Sequence, residues 1–513
     1  MPKPFDFGGV NLTAGGDSSG ARPSPETPFR IAILGDFSGR ANRGISDAKT
    51  ISQRRAVLVD RDNFDQALSR SGAEIQLAIG DGSLHLSFSE LEDFHPDRIF
   101  QHLEAFAKLR DLRRRLQDPS TFQEAADELG LRSPGSVSEP RKPDASPAVA
   151  PNAARLASGS LLDEMIEQTE SRVAEDRYRR KPDEVREFAQ RVTAKHLVST
   201  PDARQPEILS VIDRGIGALM RAVLHNRDFQ ALEALWRATF LLVRQLETGS
   251  QLKLYLIDIS KEELAADVKA ATDLRDTGMY RLLVEQSVET PGAESWAIIV
   301  GNYSFGSRKE DAEVLSRMAA IAHRARAPFL AEGSAHLLGC SSLASTPHPR
   351  EWKMPQELSG SWAELRRRPE ADSVALALPR FLLRLPYGKK TLPPESFDFE
   401  EFTELPVHED YLWGNPAFAV ALLLAQSFSE TGWEVRPGTV TEIDRLPLHV
   451  YEKDGESKSK PCAEILLTED AAERLLEDGL IPLVSFKDRD LVRVMRFQSI
   501  ADPPRGLAGR WDR

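Results

Sequence analysis

Apolar side chains run almost unbroken through residues 29–34, Phe-Arg-Ile-Ala-Ile-Leu, as in a strand covered on both faces. Shorter apolar runs at 75–77 and 84–88, around Gly80-Asp81-Gly82, predict a hairpin, and residues 97–116 predict a helix. Large apolar residues then nearly vanish over residues 131–160, where five Pro, six Ser and six Ala stand, the composition of a flexible or polyproline-like linker. Residues 161–170 resume as a short amphipathic helix and 171–191 as a charged, solvated one. From 206 to 224 a core helix is expected, with Ile208, Val211, Ile212, Gly215 and Leu219 on one face at spacings of three and four. Asn226 or Asp228 can cap the next helix, where Phe229, Leu232, Leu235, Trp236 and Leu242 repeat that pattern.

Strand and helix signals alternate from there. Residues 252–259 read as a strand running into Ser260-Lys261-Glu262-Glu263, a capping-box sequence that starts a helix. Residues 296–303 and 374–378 read as strands, 311–326 as a helix, and 416–427 as an apolar helix with Pro416 in its first turn. Strands follow at 447–451, 463–467 and 481–486, with a helix at 468–477 ended by Gly479. The fold class is mixed α/β, its sheets flanked by helices. The expected organisation is an arm at 1–27, a small α/β unit at 28–130, a linker at 131–160, a helical segment at 161–205, a larger α/β part at 206–500 and a tail at 501–513.

Composition narrows this little. Hydrophobic residues at 41% and charged residues at 28% suffice for a sizeable core. The net charge, 66 − 79 = −13, argues against general attraction to nucleic acid or anionic lipid. Cys340 and Cys462 belong to no C-x-x-C pair, so neither a zinc knuckle nor a disulfide framework is expected, and a reducing compartment is. No signal-peptide pattern opens the chain, and the longest apolar stretch, 416–425, is half a membrane span; the expectation is a cytoplasmic protein with no membrane insertion.

Candidate chemistry is sparse. Gly16-Asp17-Ser18-Ser19-Gly20 matches G-x-S-x-G but lacks the preceding strand that presents the serine. The run Leu34-Gly35-Asp36-Phe37-Ser38-Gly39-Arg40 leads a strand into a Gly-rich turn, as phosphate loops do, without G-K-[ST]; Gly388-Lys389-Lys390-Thr391 carries only part of that second half. His408-Glu409-Asp410 and Asp93-Phe94-His95-Pro96-Asp97 place carboxylates near imidazoles. Arg113-Arg114-Arg115 and Arg366-Arg367-Arg368 have no interleaved aromatics to stack bases, and read as solvated helix faces or protein contacts. No catalytic residue, metal or cofactor is assigned. A second reading remains: a soluble α/β enzyme with a phosphate-binding turn at 34–40 and His408 and Asp410 as acid and base.

The segment from Phe29 to Arg40, Val59-Asp60-Arg61-Asp62-Asn63-Phe64 and Leu91-Glu92-Asp93-Phe94-His95-Pro96-Asp97 resemble, in order, the small subunit of the type VI secretion contractile sheath. Asp228 to Arg237, Gly301-Asn302-Tyr303-Ser304-Phe305, Ala327-Pro328-Phe329, Leu378 to Gly388, Tyr411-Leu412-Trp413-Gly414-Asn415, Leu446-Pro447-Leu448-His449 and Cys462-Ala463-Glu464-Ile465 resemble the large subunit. The family usually makes the two as separate proteins; here both lie on one chain.

The resemblance implies a structural protein, not an enzyme, that polymerises with itself around an inner tube protein, contracts, and meets baseplate components and an ATP-driven ring unfoldase that recycles it. A third reading is an adaptor that keeps the fold without polymerising. The family's unfoldase-recognition helix falls on Leu161, Leu162, Met165, Ile166 and Thr169. Glu469, Asp470, Glu473 and Glu477 form a candidate tube-facing helix face. Phe5, Phe7, Arg380 and Arg384 are candidate contacts between protomers, and residues 5–11 and 492–499 candidate exchanged strands.

Overall fold

The computed structural model describes residues 23–79, 82–118, 121–129, 204–353 and 356–512. The described chain starts with β1 (Phe29–Gly35), β2 (Val57–Val59), α1 (Phe64–Ser71), the hairpin β3 (Ala73–Ile79) and β4 (Gly82–Phe88), then α2 (Pro96–His102), α3 (Glu104–Gln117) and α4 (Phe122–Glu128). From Arg204 it continues through α5 (Arg204–Leu224), α6 (Arg227–Gln245), β5 (Leu252–Asp258), α7 (Lys261–Ala270), β6 (Ile298–Phe305), α8 (Lys309–Ala325), β7 (Phe329–Gly333), α9 (Gln356–Arg367) and β8 (Val374–Leu378). The remaining elements are β9 (Phe381–Leu382), β10 (Trp413–Gly414), α10 (Pro416–Thr431), β11 (Glu442–Ile443), the hairpin β12 (His449–Lys453) and β13 (Glu456–Lys460), α11 (Glu469–Glu477), β14 (Ile481–Ser485) and β15 (Val492–Val494).

A nine-stranded sheet in the order β11-β15-β14-β8-β7-β6-β1-β5-β2 organises them. The inner strands β14, β8, β7, β6, β1 and β5 run parallel; β2 closes one edge antiparallel to β5, and at the other edge β15 runs antiparallel to both β14 and β11. Apolar residues alternate between two cores. Phe29, Ile31 and Ile33 of β1 join Leu254, Val300, Leu330 and Ala375 on one face, under α6 and α10. Ala32 and Leu34 join Ile257, Ile299, Ala331 and Leu376 on the other, under α8. Covering both faces explains why β1 reads as a continuous apolar run.

The segment before residue 130 therefore closes no sheet of its own around β1. Phe29 to Gly35 pair in register with Leu252 to Asp258 on one side, and Ile31 to Leu34 with Ile298 to Gly301 on the other. Helices add to the junction: α3 packs on α5, and Arg113 holds Asp213 through Nε at 2.5 Å and Nη2 at 3.2 Å. Trp236 of α6, fully buried, donates Nε1–H to Phe37 O at 3.1 Å and packs edge-on against Phe37 and Phe64.

Several local expectations meet the structure closely. The Asn226 side chain caps α6 by accepting from Asp228 N and Phe229 N, Ser260 and Glu263 form the capping box, and Pro416 sits in the first turn of α10. Others are corrected. Residues 97–116 form two helices, because Leu103 between them is extended at φ −74°, ψ 126°. Ile216, not Gly215, completes the buried face of α5. Residues 463–467 form no strand: Ala463 makes a single bridge to Phe381, and the Glu464 carboxylate turns onto Arg380. β15 is paired on both sides within its own chain, by β14 and β11, so it offers no free edge for exchange. The segments 5–11, 16–20 and 161–191 lie outside the described residues, and among the described residues no helix is long and apolar enough to cross a membrane.

Residues 1–130 and 204–513 co-expressed as separate chains are expected to copurify, because β1 completes the sheet from the other segment. Residues 204–513 alone should aggregate, since β5 and β6 lose the strand between them. A soluble, cooperatively folded 204–513 would contradict this.

Candidate functional site

β5 and β6 lie on opposite sides of β1, which creates the crossover point where parallel α/β sheets take ligands at their carboxyl ends. The chain fills this point with its own groups. Asp36 accepts from Arg40 N at 2.6 Å and Ala41 N at 2.9 Å; Asp258 accepts from Ser38 N at 3.1 Å and Ser38 Oγ at 2.7 Å. Glu263 accepts from Asp47 N at 2.9 Å and Ser260 N at 3.2 Å, and pairs with Arg54 at 2.8 Å and Arg40 at 3.2 Å. Gly39 is required here at φ 72°, because a Cβ would meet Glu74 O at 2.2 Å. Burial pushes the Asp36 and Asp258 carboxyls upward in pKa, whereas burial at Glu263 is overcome by its backbone donors and Arg54.

A phosphate has no place at this turn. The amides of Ser38, Arg40 and Ala41 already donate to carboxylates, and those carboxylates repel an anion. Gly388 to Thr391 is likewise a closed turn: Lys389 N donates to Glu400, Lys389 Nζ to Asp398 and Thr391 Oγ1 to Pro386 O. The enzyme reading loses both candidate cradles.

Arg384 is 5% exposed, and its guanidinium lies between two buried carboxylates, with Nε 2.9 Å from Glu233 Oε1 and Nη1 2.8 Å from Glu401 Oε2. Arg237 donates to Glu233 at 2.7 Å and to Tyr387 Oη at 3.1 Å, while Tyr387 N donates to Glu401 at 2.7 Å. Arg384 is therefore an internal cation, not a contact between protomers. Burial opposes ionisation of Glu401, but Arg384 and His225 hold its pKa down at about 2; burial pushes the Tyr387 phenol up to about 12.

Beside this network, at the carboxyl ends of β7 and β8, a cleft of about 760 Å³ is lined by residues including Glu332, Arg380, Asp410, Tyr411, Trp413 and Glu464. Arg380 grips Glu464 through its backbone N at 2.9 Å and its guanidinium at 2.9 and 2.5 Å, and reaches Glu409 at 3.4 Å. His408 lies between Glu464, at 3.4 Å from Nε2, and Lys460, whose Nζ is 2.8 Å from Nδ1. Asp410 instead faces His225 at 3.5 Å. His408 and Asp410 thus turn to different partners and form no acid–base pair. Burial opposes ionisation of Glu464, but His408 and Arg380 hold its pKa down at about 2, and burial lowers Lys460 to about 8. Among the described residues no group of His, Cys, Asp and Glu is arranged to hold a metal.

The helix α11 buries Ala471, Ala472 and Leu475 and exposes Glu469, Asp470, Glu473 and Glu477; none of these four carboxylates has an ion pair among the described residues, while Arg474 pairs with Asp478 at 2.8 Å. In the arginine runs Arg115 pairs with Glu128 and Arg366 donates to Ile500 O, while Arg114 and Arg367 are exposed on their helix faces and Arg368, exposed just past α9, pairs with Glu364 at the surface. Phe5, Phe7, Leu161, Leu162, Met165, Ile166 and Thr169 lie outside the described residues. Sequence reading missed Glu233 and Glu401. The available signal was Glu233 on the apolar face of α6, one residue after Leu232.

Residues 206–501 match the VipB family, the tail sheath N-terminal domain, and residues 9–129 match the VipA family of the type VI secretion system. The type VI secretion system sheath protein TssC1 of Pseudomonas aeruginosa is 32% identical over 333 residues, 62% of this chain and 67% of that protein. The sheath protein TssB1 of the same organism is 23% identical over 124 residues, 22% of this chain and 70% of that protein.

Glu401 and Glu464 stay ionised in the folded chain down to about pH 2, while the same groups in an unfolded chain take up protons near their ordinary value of 4.5. Their contribution is complete above that value and is lost as pH falls from about 4.5 towards 2, about 3 kcal/mol for each group. Glu401→Gln should cost about 3–5 kcal/mol at pH 7, by leaving Arg384 half-paired, and should flatten this acid limb. Urea midpoints from pH 7 to pH 3 measure both; an unchanged acid limb would refute the assignment.

Proposed function

We propose that this chain, which belongs to the type VI secretion tail-sheath family, polymerises around an inner tube in the bacterial cytoplasm and contracts to propel it. The chain is a structural sheath subunit that carries the small and large sheath parts in one polypeptide. The observation that carries the reading is the position of β1: with β1 bonded between β5 and β6, the two family-matched stretches share one sheet. Rigid protomers transmit a displacement from one contact to the next. A difference of a few kcal/mol between two packings, summed over many protomers, supplies work without bond chemistry.

In this reading the exposed carboxylates of α11, Glu469, Asp470, Glu473 and Glu477, face a basic surface on the tube protein. Arg380, at the lip of the open cleft, remains a candidate contact between protomers, as do Phe5 and Phe7. Leu161, Leu162, Met165, Ile166 and Thr169 form the stripe offered to the ring unfoldase, and baseplate components start assembly.

Negative-stain microscopy of the purified chain with its tube protein should show tubules with cogwheel cross-sections; discrete particles at every concentration would refute polymerisation. Replacing the four α11 carboxylates by their amides should weaken tube association at least tenfold, with thermal stability unchanged. Equal association would remove α11 from the tube interface. A peptide of residues 158–175 should bind the cognate unfoldase in a direct titration, and absence of binding would remove that assignment.

A further inference from the structure

The hairpin β12–β13 is solvated along most of its length, but its last residue, Lys460, turns back onto the body of the chain. Lys460 Nζ donates to His408 Nδ1 at 2.8 Å and to Glu464 O at 3.3 Å, and stands 5.2 Å from the centre of the Trp413 ring and 5.6 Å from that of Tyr411. Among the described residues no carboxylate forms an ion pair with it, whereas Lys458, two residues earlier on the same strand, pairs with Glu456. Lys460 remains partly exposed.

His408 is oriented through its other nitrogen. With Nδ1 accepting from Lys460, the ring proton lies on Nε2 and faces Glu464 Oε1 at 3.4 Å. Arg380 in turn fixes Glu464 through its backbone N and its guanidinium. An amine held against an imidazole whose far nitrogen meets a carboxylate is an activating arrangement: the imidazole accepts the proton that the attacking nitrogen sheds, and the carboxylate stabilises the imidazolium. Burial lowers the Lys460 ammonium to a pKa of about 8, with Arg380 acting in the same sense and Glu464 and Glu409 against it. Roughly a tenth of the amine is then neutral at pH 7, compared with about one part in three thousand at the ordinary value of 10.5.

We propose that Lys460 is an acylation site that takes an acyl group from a thioester, with His408 as the base and Glu464 positioning His408. The neutral Nζ attacks the thioester carbonyl carbon; the C–N bond forms, the C–S bond breaks and the electron pair leaves on sulfur. The proton shed by nitrogen passes to His408 Nδ1 and from there to the thiolate, so the products are an amide and a thiol. Acylation also removes a partly buried cation that has no carboxylate partner. All the groups belong to one chain, so the site does not rest on polymerisation.

S-acetyl-N-acetylcysteamine, a neutral thioester, tests this on the purified full chain, with peptide mass spectrometry reading each lysine separately. Lys458 and Lys309, with 47% and 72% of their side chains exposed, are the references. Lys460 is less exposed than either, so accessibility alone makes it the slowest of the three. The expected result is the reverse, with Lys460 acetylated at least about tenfold faster than Lys458 at pH 7.5. Its rate should rise through about pH 8 and level off above it. His408→Gln should slow acetylation of Lys460 about tenfold and leave Lys309 and the melting temperature unchanged. The proposal is overturned if wild-type Lys460 reacts no faster than Lys458, or if folded His408→Gln acetylates Lys460 at the wild-type rate; should that variant fail to fold, the comparison within the wild-type chain decides alone.

Discussion

Seven residues, Phe29–Gly35, bond to Leu252–Asp258 on one side and to the start of β6 on the other, and both cores are assembled around them. Without that strand the sheet falls into two pieces with facing parallel edges, each needing the hydrogen bonds that the other cannot reach. Phe29 also packs its ring against Phe428 and Trp433 at 4.6 and 5.6 Å, which ties the start of β1 to the end of α10. The part resembling a small subunit is thus the keystone of the part resembling a large one.

The carboxyl ends of the parallel strands follow a related logic. In α/β enzymes these ends keep unsatisfied donors and acceptors for a ligand. Here Asp36, Asp258 and Glu263 take the local amides and arginines, and Arg384 is divided between Glu233 and Glu401. A buried ion pair contributes little net stability over an apolar replacement, yet breaking one partner is costly. Such pairs fix one arrangement of the loops over the sheet.

Much of this was legible because the signals are local. The continuous apolar run of β1, the period of α5 and α6, the Asn226 cap and the Ser260–Glu263 capping box depend on residues close in sequence. The identity of β1's neighbours was not legible: a strand buried on both faces announces that it is central without saying which strands flank it. The same limit hid the Arg384 network, whose members Glu233 and Glu401 stand far apart along the chain. It also made 463–467 look like a strand, when the apolar residues there serve the core and Glu464 serves Arg380. Leu103 interrupts an otherwise regular helical period without any proline or glycine, so tertiary packing there outweighs local propensity.

The register of Phe29 with Leu252 and of Ile31 with Ile298 also bears on biosynthesis. The ribosome delivers β1 first, and more than two hundred residues must follow before either flanking strand exists. At about 5–20 residues per second, that leaves an apolar strand waiting for ten seconds or more with both edges bare. The sheet cannot close around its central strand until residues 252–258 and 298–301 have been made.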